Sequence, residues 1–276
     1  MEISVLLLTY TSILGFILGF VVSKTNFCTM GAVSDWVNIG DLSRFKSWML
    51  ASAIAIVGVT VFEFMSYIDL KDSRIPYRNS VFLWPRYILG GVMFGVGMTY
   101  ASGCGNKVLI RVGGGNLKSI VVLLVAGLMA YIMTRTDFYG IIFHSWMNPI
   151  SPDLAILGID DQSLPTIISF IISSSNTAYY KLIIGLLTGL TILYYIFRSG
   201  TFVKNMDNVI GGFIVGSVVV LAWYLTGSSL GEDWIETNNF LDSPLPGVGV
   251  QSFTFINPMG ESIIYLTQSA NIYYLT

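Results

Sequence analysis

The chain has 276 residues, 54% of them hydrophobic and only 11% charged, with a net charge of −2 and a mean hydropathy of +0.71. A soluble globular chain carries about 25% charged residues, so this balance excludes an ordinary soluble domain, and the lack of a basic cluster excludes nucleic acid as a partner. Two cysteines and one histidine cannot supply the roughly four ligands of a tetrahedral zinc site, so no metal and no cofactor is expected.

The first charge-free run extends from Ile3 to Ser23, long enough to cross about 30 Å of hydrocarbon as a helix. Only Glu2 carries charge before Lys24, whereas a cleaved signal peptide opens with a basic region, so the segment reads as a retained span. Further runs follow at Ser47–Phe62, Tyr87–Asn106, Ser119–Thr134, Leu182–Phe197 and Asn208–Gly231. The patch Thr166–Ile172 is too short to cross and fits an interfacial or re-entrant piece. The stretch from Ser262 to Thr276 reads as the opening of another apolar helix, so a C-terminal portion is expected to be missing. The fold class is all-α: a polytopic helical membrane protein.

Cytoplasmic loops are enriched in Lys and Arg. Between Gly227 and Gly260 there is neither, but Glu232, Asp233, Glu236 and Asp242 are present, which puts this loop outside. Arg198 and Lys204 mark the preceding loop as cytoplasmic, and the basic-free stretch Thr136–Tyr180 is expected outside, with Lys107, Arg111 and Lys118 inside. Alternation then puts Lys71, Arg74 and Arg78 outside, against the rule. Either one apolar segment is re-entrant or the rule fails locally.

Two stretches share a spacing. Gly15-x₃-Gly19 is followed nine residues later by Cys28, and Gly91-x₃-Gly95 nine residues later by Cys104. Small-x₃-small pairs let membrane helices approach closely, so both pairs predict a tightly packed face. After each pair the chain turns polar while staying nearly uncharged, the pattern of a helix that breaks inside the bilayer, which is tolerated only against protein or a cavity. Gly185-x₃-Gly189 and Gly212-x₃-Gly216 recur in the second half, but no cysteine follows either. That half therefore lacks an expected counterpart of the cysteine segments. The organisation expected is one integral membrane domain over 1–276: a first half-repeat at 1–135 holding both cysteines, an extracytoplasmic connection at 136–180, and a second, incomplete half-repeat at 181–276.

The stretch from Asn26-Phe27-Cys28-Thr29-Met30-Gly31 through Ser34-Asp35-Trp36 resembles the first signature of the YeeE/YedE family of sulfur-compound transporters. Ala101-Ser102-Gly103-Cys104-Gly105-Asn106-Lys107, continuing through Arg111 to Gly113-Gly114-Gly115-Asn116-Leu117-Lys118-Ser119, resembles the second. Gly231-Glu232-Asp233 and Ser252-Phe253-Thr254-Phe255 resemble its second half more loosely. The resemblance implies an hourglass-like inner-membrane protein of bacteria with pseudo-symmetric halves, and uptake of thiosulfate along a narrow path where cysteines touch the substrate's sulfur transiently. That role falls on Cys28 and Cys104. It also implies a small cytoplasmic sulfurtransferase-like partner, and other members handle selenium or other sulfur compounds. A further C-terminal cysteine motif of the thiosulfate-transporting members has no counterpart here, which puts the substrate or the completeness of the chain in doubt.

The chemistry suits the residues. Thiosulfate is a dianion with one soft sulfur and three hard oxygens, costly to move through low dielectric unaided. Neutral thiols offer a weak donor and a polarizable atom to the soft end. Backbone N–H groups at helix starts suit the oxygens, and Thr29, Gly31, Gly105 and Asn106 are candidates for such starts. Lys24 and Lys107 either draw the anion inward or reach the headgroups and set topology; for Arg111 the second role is favoured. Phe27, Trp36 and Tyr100 are expected to pack and narrow the path, His144 to be a surface or packing residue, and Glu63 to be a proton site or to face the headgroups. A non-enzymatic transporter is favoured over a thiol oxidoreductase working between Cys28 and Cys104, because the redox arrangement C-x-x-C is absent, and over an accessory subunit with incidental cysteines.

Overall fold

A computed structural model describes residues 2–70, 73, 78–172, 176–198, 200–241 and 247–269. In chain order its helices are α1 (Glu2–Thr25), α2 (Thr29–Ile39), α3 (Ser43–Phe64), α4 (Trp84–Tyr100), α5 (Gly105–Gly113), α6 (Leu117–Arg135), α7 (Ser145–Met147), α8 (Leu164–Ile171), α9 (Thr177–Phe197), α10 (Gly200–Lys204), α11 (Met206–Gly227), α12 (Ser229–Asn239) and α13 (Asn257–Ser269). A π-helical turn precedes α7 and 3₁₀ turns follow it. Among the described residues the only extended pairings are two isolated bridges, Ser73 with Val250 and Val81 with Asp153. The all-α expectation holds. Among the described residues six helical stretches are long and apolar enough to span a membrane: Ile3–Ile39, Ser43–Phe64, Trp84–Gly113, Leu117–Arg135, Thr177–Phe197 and Met206–Gly227. The first and third of these are each broken once, immediately before a cysteine-capped helix.

The helix ends follow local chemistry. The Asp41 carboxylate accepts the Ser43 N–H at 2.9 Å at the start of α3, and the Asn116 side chain accepts from Ser119 N–H at the start of α6. Asn205 does the same for Asn208 at α11. Each satisfies an N–H that the helix itself leaves unpaired. Gly40 ends α2 in the left-handed conformation, φ 76°, which glycine adopts without steric cost.

The chain forms two compact units. One comprises residues 1–82 and 153–253, the other 83–152 and 254–276, so the expected half-repeats, 1–135 and 181–276, are each shared between units. In the first unit α3 packs along both α9 and α11. Gly212 lies over the Ser47 carbonyl, Gly216 over the Ala51 carbonyl and Gly58 against Val220, so α3 and α11 run in the same direction at close approach. Gly185 meets Thr60 and Gly189 meets Val57, so α9 runs the opposite way. Two small cores flank this contact. Leu50, Ile196 and Phe202 form one, and Ile68, Leu70 and Val250 the other. In the second unit α13 packs antiparallel on α6, with Gly127 against Met259 and Ile263 and Gly260 against the Tyr131 backbone.

The glycine expectation is half reversed. A methyl at Gly19, Gly91 or Gly95 would meet nothing within 4 Å, and one at Gly15 only the Phe253 ring at 3.8 Å. The close-packing pairs are Gly185/Gly189 and Gly212/Gly216. Spacing alone identifies small residues on one helix face but not whether a partner helix has a ridge to fill the groove.

Glu63, at the end of α3, belongs to a cluster of ion pairs. Its carboxylate accepts two bonds from the Arg78 guanidinium, at 2.9 and 3.1 Å, and one from Lys181 at 3.4 Å. Asp161 completes the cluster, 3.4 Å from Arg78 and 3.8 Å from Lys181. The end of α3, the start of α9 and the segment 78–82 are thereby tied at one end of the unit. Gly227, at the end of α11, lies there too, its carbonyl accepting from Asp69 N–H at 2.9 Å. Lys71 and Arg74 lie outside the described residues, as do Asp242 and the stretch from 270 onward.

Candidate functional site

Each cysteine occupies the same local structure. A long apolar helix ends, the chain enters the left-handed region at a non-glycine residue, and two residues later a cysteine becomes the N-cap of a short helix. Asn26 (φ 52°) precedes Cys28, and Ser102 (φ 55°) precedes Cys104. Such a conformation costs an L-residue roughly 1–2 kcal/mol, least for Asn, so a packed surround has to impose it. Both caps are extended, with φ −157° and ψ 128° at Cys28 and φ −72° and ψ 167° at Cys104. Each cap carbonyl accepts the first intrahelical bond, from Ala32 N–H at 2.9 Å and Val108 N–H at 3.0 Å. Neither cysteine side chain caps its helix, neither is in a disulfide, and both are buried.

The other candidates fall around these caps. Thr29 and Gly31 are the first and third residues of α2, and Gly105 and Asn106 open α5, so the expected helix starts exist. Their N–H groups carry the positive end of each helix dipole. Gly105 is tightly held: a methyl there would lie 3.0 Å from Ile256 and 3.3 Å from Phe255. Lys107 lays its stem over Gly103, the residue before Cys104. Lys24 sits in the last turn of α1, exposed, and Arg111 in the last turn of α5. Trp36 packs on Phe45, ring centroids 5.2 Å apart, tying α2 to α3. Tyr100 is largely exposed and does no packing. His144 lies in the π-helical turn beside Tyr139.

Two features are not apparent from the sequence. The first is Arg44, at the start of α3. Its Nε is 3.0 Å from the Asp35 carboxylate, and a methyl at Gly31 would lie 2.7 Å from its Nη1 and 3.6 Å from Cys28 Cβ. The second is a broken helix in the second half, the half in which no counterpart of the cysteine segments is expected. α11 ends at Gly227, and Ser228 (φ −93°, ψ 178°) caps α12. The Ser228 carbonyl accepts from Glu232 N–H at 3.0 Å. Cys28-x-x-Gly31 and Ser228-x-x-Gly231 are the shared signal, which a pattern written on cysteine does not reach. Ser228 borders a cavity of about 640 Å³ with Glu63, Asp69, Lys181, Tyr224 and Glu232; neither cysteine lines it.

Apolar helices of spanning length, two of them interrupted at buried cysteines that start short helices, define a multi-pass membrane protein. The family described as sulphur transport matches residues 24–272, and the chain belongs to it. Among curated relatives, the thiosulfate transporter TsuA of Escherichia coli (strain K12) is 27% identical over 129 residues, 47% of this chain and 35% of the relative. The thiosulfate transporter TsuA of Spirochaeta thermophila is 28% identical over 144 residues, 52% of this chain and 41% of the relative. The matched stretch thus spans less than half the length of either relative.

Proposed function

We propose that the chain takes up thiosulfate, or a closely related anion bearing one soft sulfur, across the bacterial inner membrane without chemical conversion, and that Cys28 and Cys104 line the route. The observation that carries this reading is the repeated cap. A polarizable thiol and a set of helix-start N–H groups occur together twice, each at a break in a spanning helix. The thiol suits the soft sulfur and the N–H groups suit the oxygens, and neither binds so tightly that release fails. Thr29, Gly31, Gly105 and Asn106 supply the backbone donors in this reading, and Lys107 and Lys24 the positive potential. In this reading the half-repeats 1–135 and 181–276 are joined by an extracytoplasmic 136–180, and a small cytoplasmic sulfurtransferase-like protein would receive the substrate.

The orientation follows from the first unit. Glu63, Asp161 and Glu232 belong to the end at which α3 and α11 finish, and Arg78 and Lys181 there are ion-paired. At the other end lie Arg44, Lys46 and Lys204, which makes that end cytoplasmic. Uptake of ³⁵S-labelled thiosulfate into cells or vesicles tests the function. Cys28→Ala and Cys104→Ala should each reduce uptake at least tenfold while inserting normally, and wild-type uptake in both would refute the assignment.

A further inference from the structure

A guanidinium beside a buried thiol is the least expected placement in the first unit. Arg44 stands in the first turn of α3, where a cation opposes the helix dipole instead of complementing it. Asp35, one turn past Gly31 on α2, holds the Nε edge at 3.0 Å. The Nη edge is turned to Gly31, and among the described residues no acceptor is hydrogen-bonded to it. Only the missing side chain of Gly31 lets the group in: a methyl there would sit 2.7 Å from Nη1 and 3.6 Å from Cys28 Cβ. The guanidinium nitrogen and the cysteine Cβ are therefore no farther apart than those two distances combined.

We propose that Arg44, aimed by Asp35 through the gap at Gly31, is the oxyanion-reading residue of the Cys28 constriction. The Nη donors take two oxygens of a tetrahedral sulfur oxyanion in the planar fork that guanidinium offers, while the Cys28 thiol meets the soft sulfur. The carboxylate of Asp35 does two things. It fixes the fork, and it lowers the net charge near the thiol so that a dianion is recognised without being trapped. In the second unit it is the Lys107 stem, through Cβ and Cγ, that lies over Gly103 beside Cys104.

This inference rests on Cys28 lining the route, but its test needs no transport. Purified full-length chain is treated with methanethiosulfonates carrying an anionic sulfonatoethyl, a cationic trimethylammonioethyl or a neutral methyl group, and modification of Cys28 is followed by peptide mass spectrometry. The anionic-to-cationic rate ratio cancels any change in thiol ionisation. A unit charge removed from about 6 Å should lower that ratio roughly tenfold in Arg44→Gln, while any change in the neutral reagent's rate reports thiol ionisation alone. Arg44→Lys should stay within about twofold of wild type. Asp35→Asn, which breaks the same ion pair but keeps the cation, should not lower the ratio. Gly31→Ala, which pushes the guanidinium away with its charge intact, should give an intermediate fall and serves if Arg44→Gln does not fold. Thiosulfate should slow modification of Cys28 in wild type and not in Arg44→Gln. An unchanged ratio in both Arg44→Gln and Gly31→Ala, or an equal fall in Asp35→Asn, would overturn the proposal. Loss of uptake in Cys28→Ala with an unchanged ratio in these variants would leave the transport reading standing and Arg44 excluded.

Discussion

Gly216→Ala should destabilise the protein, whereas Gly19→Ala and Gly91→Ala should not, although all three glycines sit in the same small-x₃-small pattern. A methyl at Gly216 would lie 2.8 Å from the Ala51 carbonyl oxygen and 2.9 Å from Ile54 Cβ. Neither atom is the far end of a flexible side chain, so α3 and α11 have to separate. Overpacking of this kind costs about 1–3 kcal/mol. The loss spreads beyond the site, because α3 also carries the Gly185 and Gly189 contacts with α9. At Gly19 and Gly91 an added methyl meets nothing within 4 Å, and alanine in a helix interior is better than glycine by up to about 1 kcal/mol. The assay is the thermal midpoint of the purified protein in one detergent, followed by intrinsic fluorescence. For a chain of this size about 2–4 °C is expected per kcal/mol, so Gly216→Ala should fall by several degrees while the other two hold or rise. An equal fall for Gly19→Ala and Gly216→Ala would show that glycine spacing, and not the observed contact, governs packing.

Replacing Cys28 or Cys104 by Ser keeps a neutral donor and nearly the volume, so uptake should still fail if soft contact with sulfur matters; normal uptake in both would reduce the thiol to any donor. Single cysteines introduced as Gly200→Cys and Glu236→Cys, in a background lacking the native pair, should react with an impermeant reagent from opposite sides, and labelling from one side would break the orientation. Glu63→Gln leaves Arg78 and Lys181 sharing Asp161 alone. Because these side chains are partly exposed, the loss should be about 1–2 kcal/mol, below that for a fully buried pair, and no change in thermal midpoint would argue against the cluster. Burial by itself would raise the Asp161 carboxyl, but hydrogen bonds from Ser163 and the charges of Arg78 and Lys181 more than offset it and hold it below its ordinary value of 3.8. A depressed carboxyl contributes stability above its unfolded value and loses it as pH falls through the folded one. The midpoint should therefore decline on acidification below about pH 4, less so in Asp161→Asn, and identical profiles would contradict this.

The spans were legible because lipid imposes a length and an apolar composition on any crossing helix, and the structure places helices on all six charge-free runs. The breaks were legible at Cys28 and Cys104 because polar, uncharged residues in mid-run suit a backbone that leaves the helix against protein or a cavity. Arg44 was not, since it lies in a different helix from the cysteine it approaches, and only the fold of α2 back on α3 through Gly40 brings it to Gly31. Ser228 was missed for another reason. A cap is defined by its extended backbone angles, which a serine satisfies as well as a cysteine.

Of the three cations that stand against the Lys/Arg rule, Arg78 is the one among the described residues. Alternation from the later loops put Arg78 outside, and the Lys/Arg count objected. Counting treats each cation as a free charge that has to be kept from crossing. Arg78 is not such a charge: Glu63 and Asp161 hold it at 2.9 and 3.4 Å, and Lys181 shares the same two carboxylates. The four groups sum to zero, so the cluster exerts little pull toward the cytoplasm. The cations at the opposite end retain theirs, and Arg44, paired along one edge by Asp35, would combine the proposed cytoplasmic position with a guanidinium edge turned to Gly31, beside Cys28. On the proposed orientation, direction and recognition would draw on the same end of the first unit, and the neutral four-membered cluster would leave the direction to the basic residues there.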